Sequence, residues 1–234
     1  MGKRREPSRS GFEYTRNWLT QRLVQSYDLN ERMNDGGGTK TRILDSSEKL
    51  FGLKGFDGVS LRDITADAGV NLAAINYHFQ TKEALIDAVI SRRIEPVNQR
   101  RYELLEGLGP EPTVEQIVEA FLRPALEKLG TANLGSLMGR VMANPDLFVD
   151  RIFNVHFAPL AERFIGTLSK ALPDLPLTEV IWRFHFMIGI MSHQLLWGGV
   201  IERISNGLCS MKDREALLQR TVRFAAAGFK SSER

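Results

Sequence analysis

The residues best suited to chemistry lie between Ser60 and Lys82. Leu72, Ala73 and Asn76 fall on one side of a short predicted helix, opposite Ile75 and Phe79. An asparagine amide can pair with the edge of adenine, and small aliphatic groups can meet a thymine methyl in a major groove about 12 Å wide. Tyr77, His78 and Lys82 follow at the end of that helix and the start of the next, where hydroxyl, imidazole and ammonium donors suit phosphate oxygens. Such chemistry would be recognition of a nucleic-acid groove rather than bond making.

These side chains need a scaffold, and the flanking sequence predicts one. From Thr39 the apolar residues Ile43, Leu44, Leu50 and Phe51 recur at helical spacing until Gly55 ends the run. Ser60, with Asp63 three residues on, has the form of a capping box for a second helix running toward Asp67-Ala68-Gly69. Asn71 caps a third helix over 72–79, and Thr81 caps a fourth carrying Leu85, Ile86, Val89, Ile90 and Ile94. Two short helices joined by Ala68-Gly69-Val70 form a helix-turn-helix, in which Ile64, Ile75 and Phe79 close a small core with helix one.

Beyond Pro96 the pattern remains helical, with elements expected near 97–107, 113–129, 133–143, 145–171, 177–205 and 213–228. No period-two strand and no internal repeat emerges. The fold class is all-α, a small N-terminal domain followed by a larger helical one. Residues 1–38 read as a disordered or non-native N-terminal arm ending in Asp35-Gly36-Gly37-Gly38, with Met33 as an alternative start. The apolar residues of 177–205 and 213–228 exceed what one buried face needs, so these helices are expected to pair across a two-fold axis.

Thr41-Arg42-Ile43-Leu44-Asp45, Leu50-Phe51, Lys54-Gly55-Phe56, Ser60-Leu61-Arg62-Asp63-Ile64, Ala68-Gly69-Val70, Ala74-Ile75-Asn76-Tyr77-His78-Phe79 and Lys82-Glu83-Ala84-Leu85 closely resemble the N-terminal domain of TetR-family transcriptional regulators. The resemblance implies a three-helix DNA-binding domain over 39–86 and a ligand-binding and dimerisation domain over 87–234. It implies a homodimeric repressor on a pseudo-palindromic operator, released by a small hydrophobic effector. Carried over, Ser60 and Arg62 open the second helix near phosphate, Asn71, Leu72, Ala73 and Asn76 lie in the groove, and Tyr77, His78 and Lys82 clamp the backbone. Residues 70–79 together with Trp182-Arg183-Phe184-His185-Phe186-Met187-Ile188-Gly189 are similar to members answering to fatty acids or acyl-CoA esters.

For such an effector, Met138, Met142, Phe153, Phe157, Phe164, Phe186, Met187 and Met191 offer adaptable apolar lining, although residues at helical spacing commonly serve only the core. Trp182 and His185 join the candidate ligand set. The residues alone also admit a ligand-independent architectural DNA binder.

Other classes find little support. The chain of 234 residues is 43% hydrophobic and 25% charged, the balance of a globular protein. Its net charge of +3 is spread along the chain with no basic block, so the case for DNA rests on motif geometry. One cysteine, Cys209, excludes an internal disulfide, and the basic start lacks the apolar stretch of a signal peptide, which makes the cytoplasm the expected compartment. The uncharged stretch 184–201 contains His185, Ser192, His193 and Gln194 and is read as a buried or interfacial helix, with no membrane partner. His185 and His193 lie more than ~10 Å apart along a helix rising about 1.5 Å per residue, too far to share a metal. In Gly36-Gly37-Gly38-Thr39-Lys40-Thr41 a threonine stands where a phosphate-binding loop needs glycine before lysine. No nucleophile elbow occurs, so neither catalysis nor a cofactor is expected.

Overall fold

A computed structural model describes residues 36–128, 137, 139–141 and 147–231, with backbone alone for 147–151. Arg42–Arg234 form one compact unit. The described residues are helical with no strand: α1 (Gly36–Lys54), α2 (Leu61–Ala68), α3 (Leu72–Phe79), α4 (Lys82–Glu106), α5 (Val114–Glu127), a π-helix (Leu147–Phe157), α6 (Ala158–Ala171), α7 (Leu177–Trp197), α8 (Val200–Ile204) and α9 (Arg214–Lys230).

Local chemistry sets the boundaries around α2 and α3. The Ser60 hydroxyl oxygen accepts from the Asp63 amide, and the Asp63 carboxylate accepts from the Ser60 amide, so each satisfies a donor left over at the helix start. Gly69 ends α2 in the left-handed region (φ 62, ψ 42), which side chains with a Cβ resist. The Ala74 amide donates to Asn71 Oδ1 at 2.9 Å, and the Ala84 amide donates to Thr81 Oγ1 at 3.0 Å. These caps leave α2 and α3 little freedom of length.

The first core gathers Ile43, Phe51, Ile64, Ile75, Leu85 and Val89, all fully buried, with Phe79 beside them. It is completed from far along the chain by Leu137, Val141 and Ile152. Nearby, Arg140 Nη2 donates to the Leu53 carbonyl at 3.4 Å, close to the αL residue Gly55 that ends α1. The second core runs from Val97 to Phe229 and is centred on the edge-to-face rings of Phe121, Phe164 and Phe184. Across its outside, Arg123 pairs with Glu215 and Lys230 with Glu115, tying α5 to α9.

Four boundaries differ from the sequence expectation. α1 begins at Gly36, so the glycine run expected to end the N-terminal arm forms the helix's first turn. α4 continues through Pro96 to Glu106. A proline removes one ladder bond and strains the preceding turn, yet Pro96 is exposed while Ile94, Val97 and Arg101 are buried around it, and this packing holds the helix together. The single helix expected over 145–171 changes winding into α6, whose second residue Pro159 has no N–H to continue the ladder. The helix expected over 177–205 stops at Trp197: a Cβ at Gly198 would collide with Met211 Cε and the Gln194 carbonyl, so the turn into α8 uses the glycine's missing side chain.

Candidate nucleic-acid interface

α3 is anchored by Ile75 and Phe79 and turns its other side to solvent. Asn71, Leu72, Ala73, Asn76 and Tyr77 are exposed together, with Tyr77 at 75% exposure far above what a structural tyrosine needs. The Tyr77 ring meets the His78 imidazole edge-on at 5.0 Å, and His78 in turn lies against Phe79, so the core fixes the direction of the pair. His78 and Lys82 are half-buried, and Arg62 is exposed on α2.

Two of these positions also serve the fold. Ser60 donates its hydroxyl proton to Asp63 Oδ2 at 2.6 Å, so both its polar groups are engaged in the cap. These Ser60 hydrogen bonds hold the Asp63 carboxyl below its ordinary pKa. Asn71 uses its oxygen in the α3 cap, and its amide NH2 takes no part there.

Ion pairs brace this head from below. Lys49 Nζ meets Asp67 at 2.6 Å and joins α1 to α2. Glu48, only 2% exposed, accepts from Arg92 Nη2 at 2.7 Å and from Arg93 Nε at 2.8 Å, joining α1 to α4. Burial works against the Arg92 charge, but the Glu48 and Asp45 carboxylates raise its pKa above the ordinary value.

The π-helix meets the same α4. His156 Nε2 is hydrogen-bonded to Ser91 Oγ at 3.1 Å, and Asn98 Nδ2 donates to the His156 carbonyl at 2.7 Å. Burial lowers the His156 pKa from its ordinary 6.5, although the Glu95 and Asp87 carboxylates oppose the shift. In the unfolded chain the imidazole takes its proton as pH falls through about 6.5, while the native one resists. Stability contributed by the neutral ring is therefore complete above that pH and lost as pH falls toward the lower native value. Thermal midpoints at pH 7.5 and 5.5 should show a larger acid loss for the parent than for His156→Gln; equal losses would remove His156 as the source.

Among the described residues, the candidate effector residues fall in three places. Phe164 is fully buried and Met191 nearly so, both in the second core together with Met187. Phe157 is half-buried against the first core, and Phe153 is 37% exposed. Trp182, His185 and Phe186 occupy the outside of α7, with the Trp182 and Phe186 rings stacked at 5.8 Å and His185 edge-on to Trp182. Met138 and Met142 lie outside the described residues.

Sequence reading missed Glu48, Asn98 and Arg101, all buried. A signal was present: Glu48 stands in register with Leu44 and Phe51, and Arg101 with Ile94, Val97 and Leu105, where apolar residues belong.

Two family models match the chain. "Bacterial regulatory proteins, tetR family" covers residues 43–89, which contain α2, α3 and their supports, and "Tetracyclin repressor-like, C-terminal domain" covers 119–228. The chain belongs to the TetR family of DNA-binding transcriptional regulators. Among curated relatives it is similar to the probable transcriptional regulator YttP of Bacillus subtilis, 33% identical over 81 residues, which is 35% of this chain and 39% of that protein. It is also similar to the transcriptional regulator UidR of Escherichia coli, 31% identical over 110 residues, 47% of this chain and 55% of that one. The matches thus span roughly two fifths to half of those relatives. The fold resembles the crystal structure of a TetR-family regulator from Streptomyces coelicolor at TM-score 0.58 and 16% identity, covering 83% of this chain and 97% of the other. Among the described residues no helix is long and apolar enough to cross a membrane, and no cluster of His, Cys, Asp and Glu forms a metal site.

Proposed function

We propose that the protein is a homodimeric transcriptional repressor that holds a pseudo-palindromic operator through α3 and releases it when a small hydrophobic effector binds the helical C-terminal part. The observation that carries this reading is the capped, core-anchored α3 with Leu72, Ala73, Asn76 and Tyr77 outward. Residues 39–86 act as the DNA-binding domain, with Ser60 and Arg62 near phosphate, Asn71, Leu72, Ala73 and Asn76 in the groove, and Tyr77, His78 and Lys82 on the backbone. Residues 87–234 bind the effector and dimerise. The protein works by binding rather than by catalysis, in the cytoplasm where its DNA lies.

Dimerisation is supported by Ile181, Trp182 and Phe186 on α7 and Phe224 on α9, which are 47%, 56%, 60% and 70% exposed. A monomer rarely leaves so many large apolar side chains in water, and Trp182 and Phe186 stack on each other there. Pairing there would set two copies of α3 into successive major grooves about 34 Å apart. An effector that prefers the other spacing of the heads then lowers operator affinity, with a coupling of roughly 1–3 kcal/mol.

The test is selection of genomic fragments by the purified full chain at one stated salt concentration, with Tyr77→Ala in parallel. An inverted repeat enriched by the parent and lost by the variant is the expected result. Enrichment without any symmetric site would favour an architectural DNA binder instead.

A further inference from the structure

Among the described residues, Glu48 and Arg101 are the buried charged side chains, and they differ in one respect. Glu48 is met by two arginines. Arg101, on α4 and 2% exposed, has only neutral partners: Nε donates to the Phe121 carbonyl at 2.8 Å, Nη1 to Asn98 Oδ1 at 3.0 Å and Nη2 to Met191 Sδ at 3.2 Å. The Phe121 ring covers one face of the guanidinium at 4.1 Å. Burial pushes the Arg101 pKa down to about 9, which still leaves it cationic at neutral pH.

A buried cation is expensive unless an anion faces it. Part of its role is local, because Pro124 loosens the α5 ladder next to the Phe121 carbonyl that Arg101 caps. A neutral amide could supply that bond. The remaining donors have no such use among the described residues, and the charge meets only the Phe121 ring: of the five N–H groups of a guanidinium, three are directed at protein acceptors, and one of those meets a thioether, a poor acceptor on a flexible side chain. One turn beyond Met191 on α7, Gln194 Oε1 is buried without a partner. Arg101, with no anion against it among the described residues, thus adjoins the aromatic core of Phe121, Phe164 and Phe184, and the unpaired Gln194 Oε1 lies one turn along α7 from its partner Met191.

The geometry points to Arg101 as the receptor for the acidic head of the effector, an amphiphilic organic acid whose carboxylate takes the uncommitted guanidinium donors while its apolar body packs against Phe121, Phe164 and Met191. This assignment rests on the effector-released reading above and narrows it to acids. The Met191 sulfur holds the place of the carboxylate and swings aside on binding. Gln194 accepts from a hydroxyl or amide N–H on the same molecule.

The probes are octanoate, dodecanoate and benzoate, each compared with its methyl ester by thermal shift and calorimetry on the full-length protein at pH 7. At least one acid should bind ten-fold or more tightly than its ester, and Arg101→Met should abolish that preference. Met191→Leu conserves volume but removes the sulfur acceptor, and should raise the ratio of acid to ester affinity several-fold, whatever the altered apolar contact does to both. This second variant decides the matter where Arg101→Met does not fold. No acid preferred over its ester, a preference that survives Arg101→Met, or Met191→Leu shifting acid and ester alike would overturn the assignment. Operator selection without ligand reads the regulator function separately: a protein that enriches an inverted repeat but ignores the acids keeps that function and loses this effector class.

Discussion

Glu48→Ala should lower the unfolding free energy by about 3 kcal/mol, the low end for breaking a buried ion pair. The carboxylate is 2% exposed and holds Arg92 and Arg93 together, so its removal leaves two cations side by side with their shared anion gone. Both arginines reach solvent, at 29% and 41% side-chain exposure, and water will recover part of the loss, which is why the low end applies. Asp45 retains its contact with Arg92. Glu48→Gln should cost less, because it keeps an acceptor and the packing volume. Urea unfolding would show the effect as a lower midpoint at an unchanged slope. A change within ~0.5 kcal/mol would mean that the pairs hold the head in direction without stabilising it.

The second large effect concerns DNA. Tyr77→Ala is expected to weaken every sequence alike by roughly 10- to 100-fold, the worth of a hydrogen bond to a charged phosphate. Asn76→Ala should instead flatten the preference at one base pair by about 1–3 kcal/mol. Lys82→Ala belongs with Tyr77 in its uniform effect, but should also reduce the salt slope by about one. Binding of the three variants to a randomised duplex library at two salt concentrations separates these behaviours. Indistinguishable sequence profiles for the Tyr77 and Asn76 variants would end the division into clamp and reader.

The head was legible because its signals are local. Ser60, Asn71 and Thr81 each cap the next helix within three residues, and Gly69 marks the turn, so α2 and α3 follow from chemistry between near neighbours. Where a boundary depends on distant packing, periodicity misleads: Pro96 reads as a stop until the buried residues on either side are seen to hold the helix. The same limit applies to the candidate effector residues. Helical spacing places Phe164 and Phe186 alike as apolar, but only tertiary structure sends one to the core and the other to the surface. Arg101 is the converse case, a charge whose register betrays burial while its neutral partners come from α5 and α7.

The sharing of the first core with Leu137, Val141 and Ile152 bears on how such proteins diversify. A reading head that supplied its own core could be cut out and joined to any sensor, as a cassette. Here the head borrows its last wall from the body, so a transplanted head arrives with apolar surface uncovered unless the recipient offers side chains of matching shape at those three places. Moving a head of this design onto another body therefore requires Leu137, Val141 and Ile152, or side chains of matching shape, to come with it.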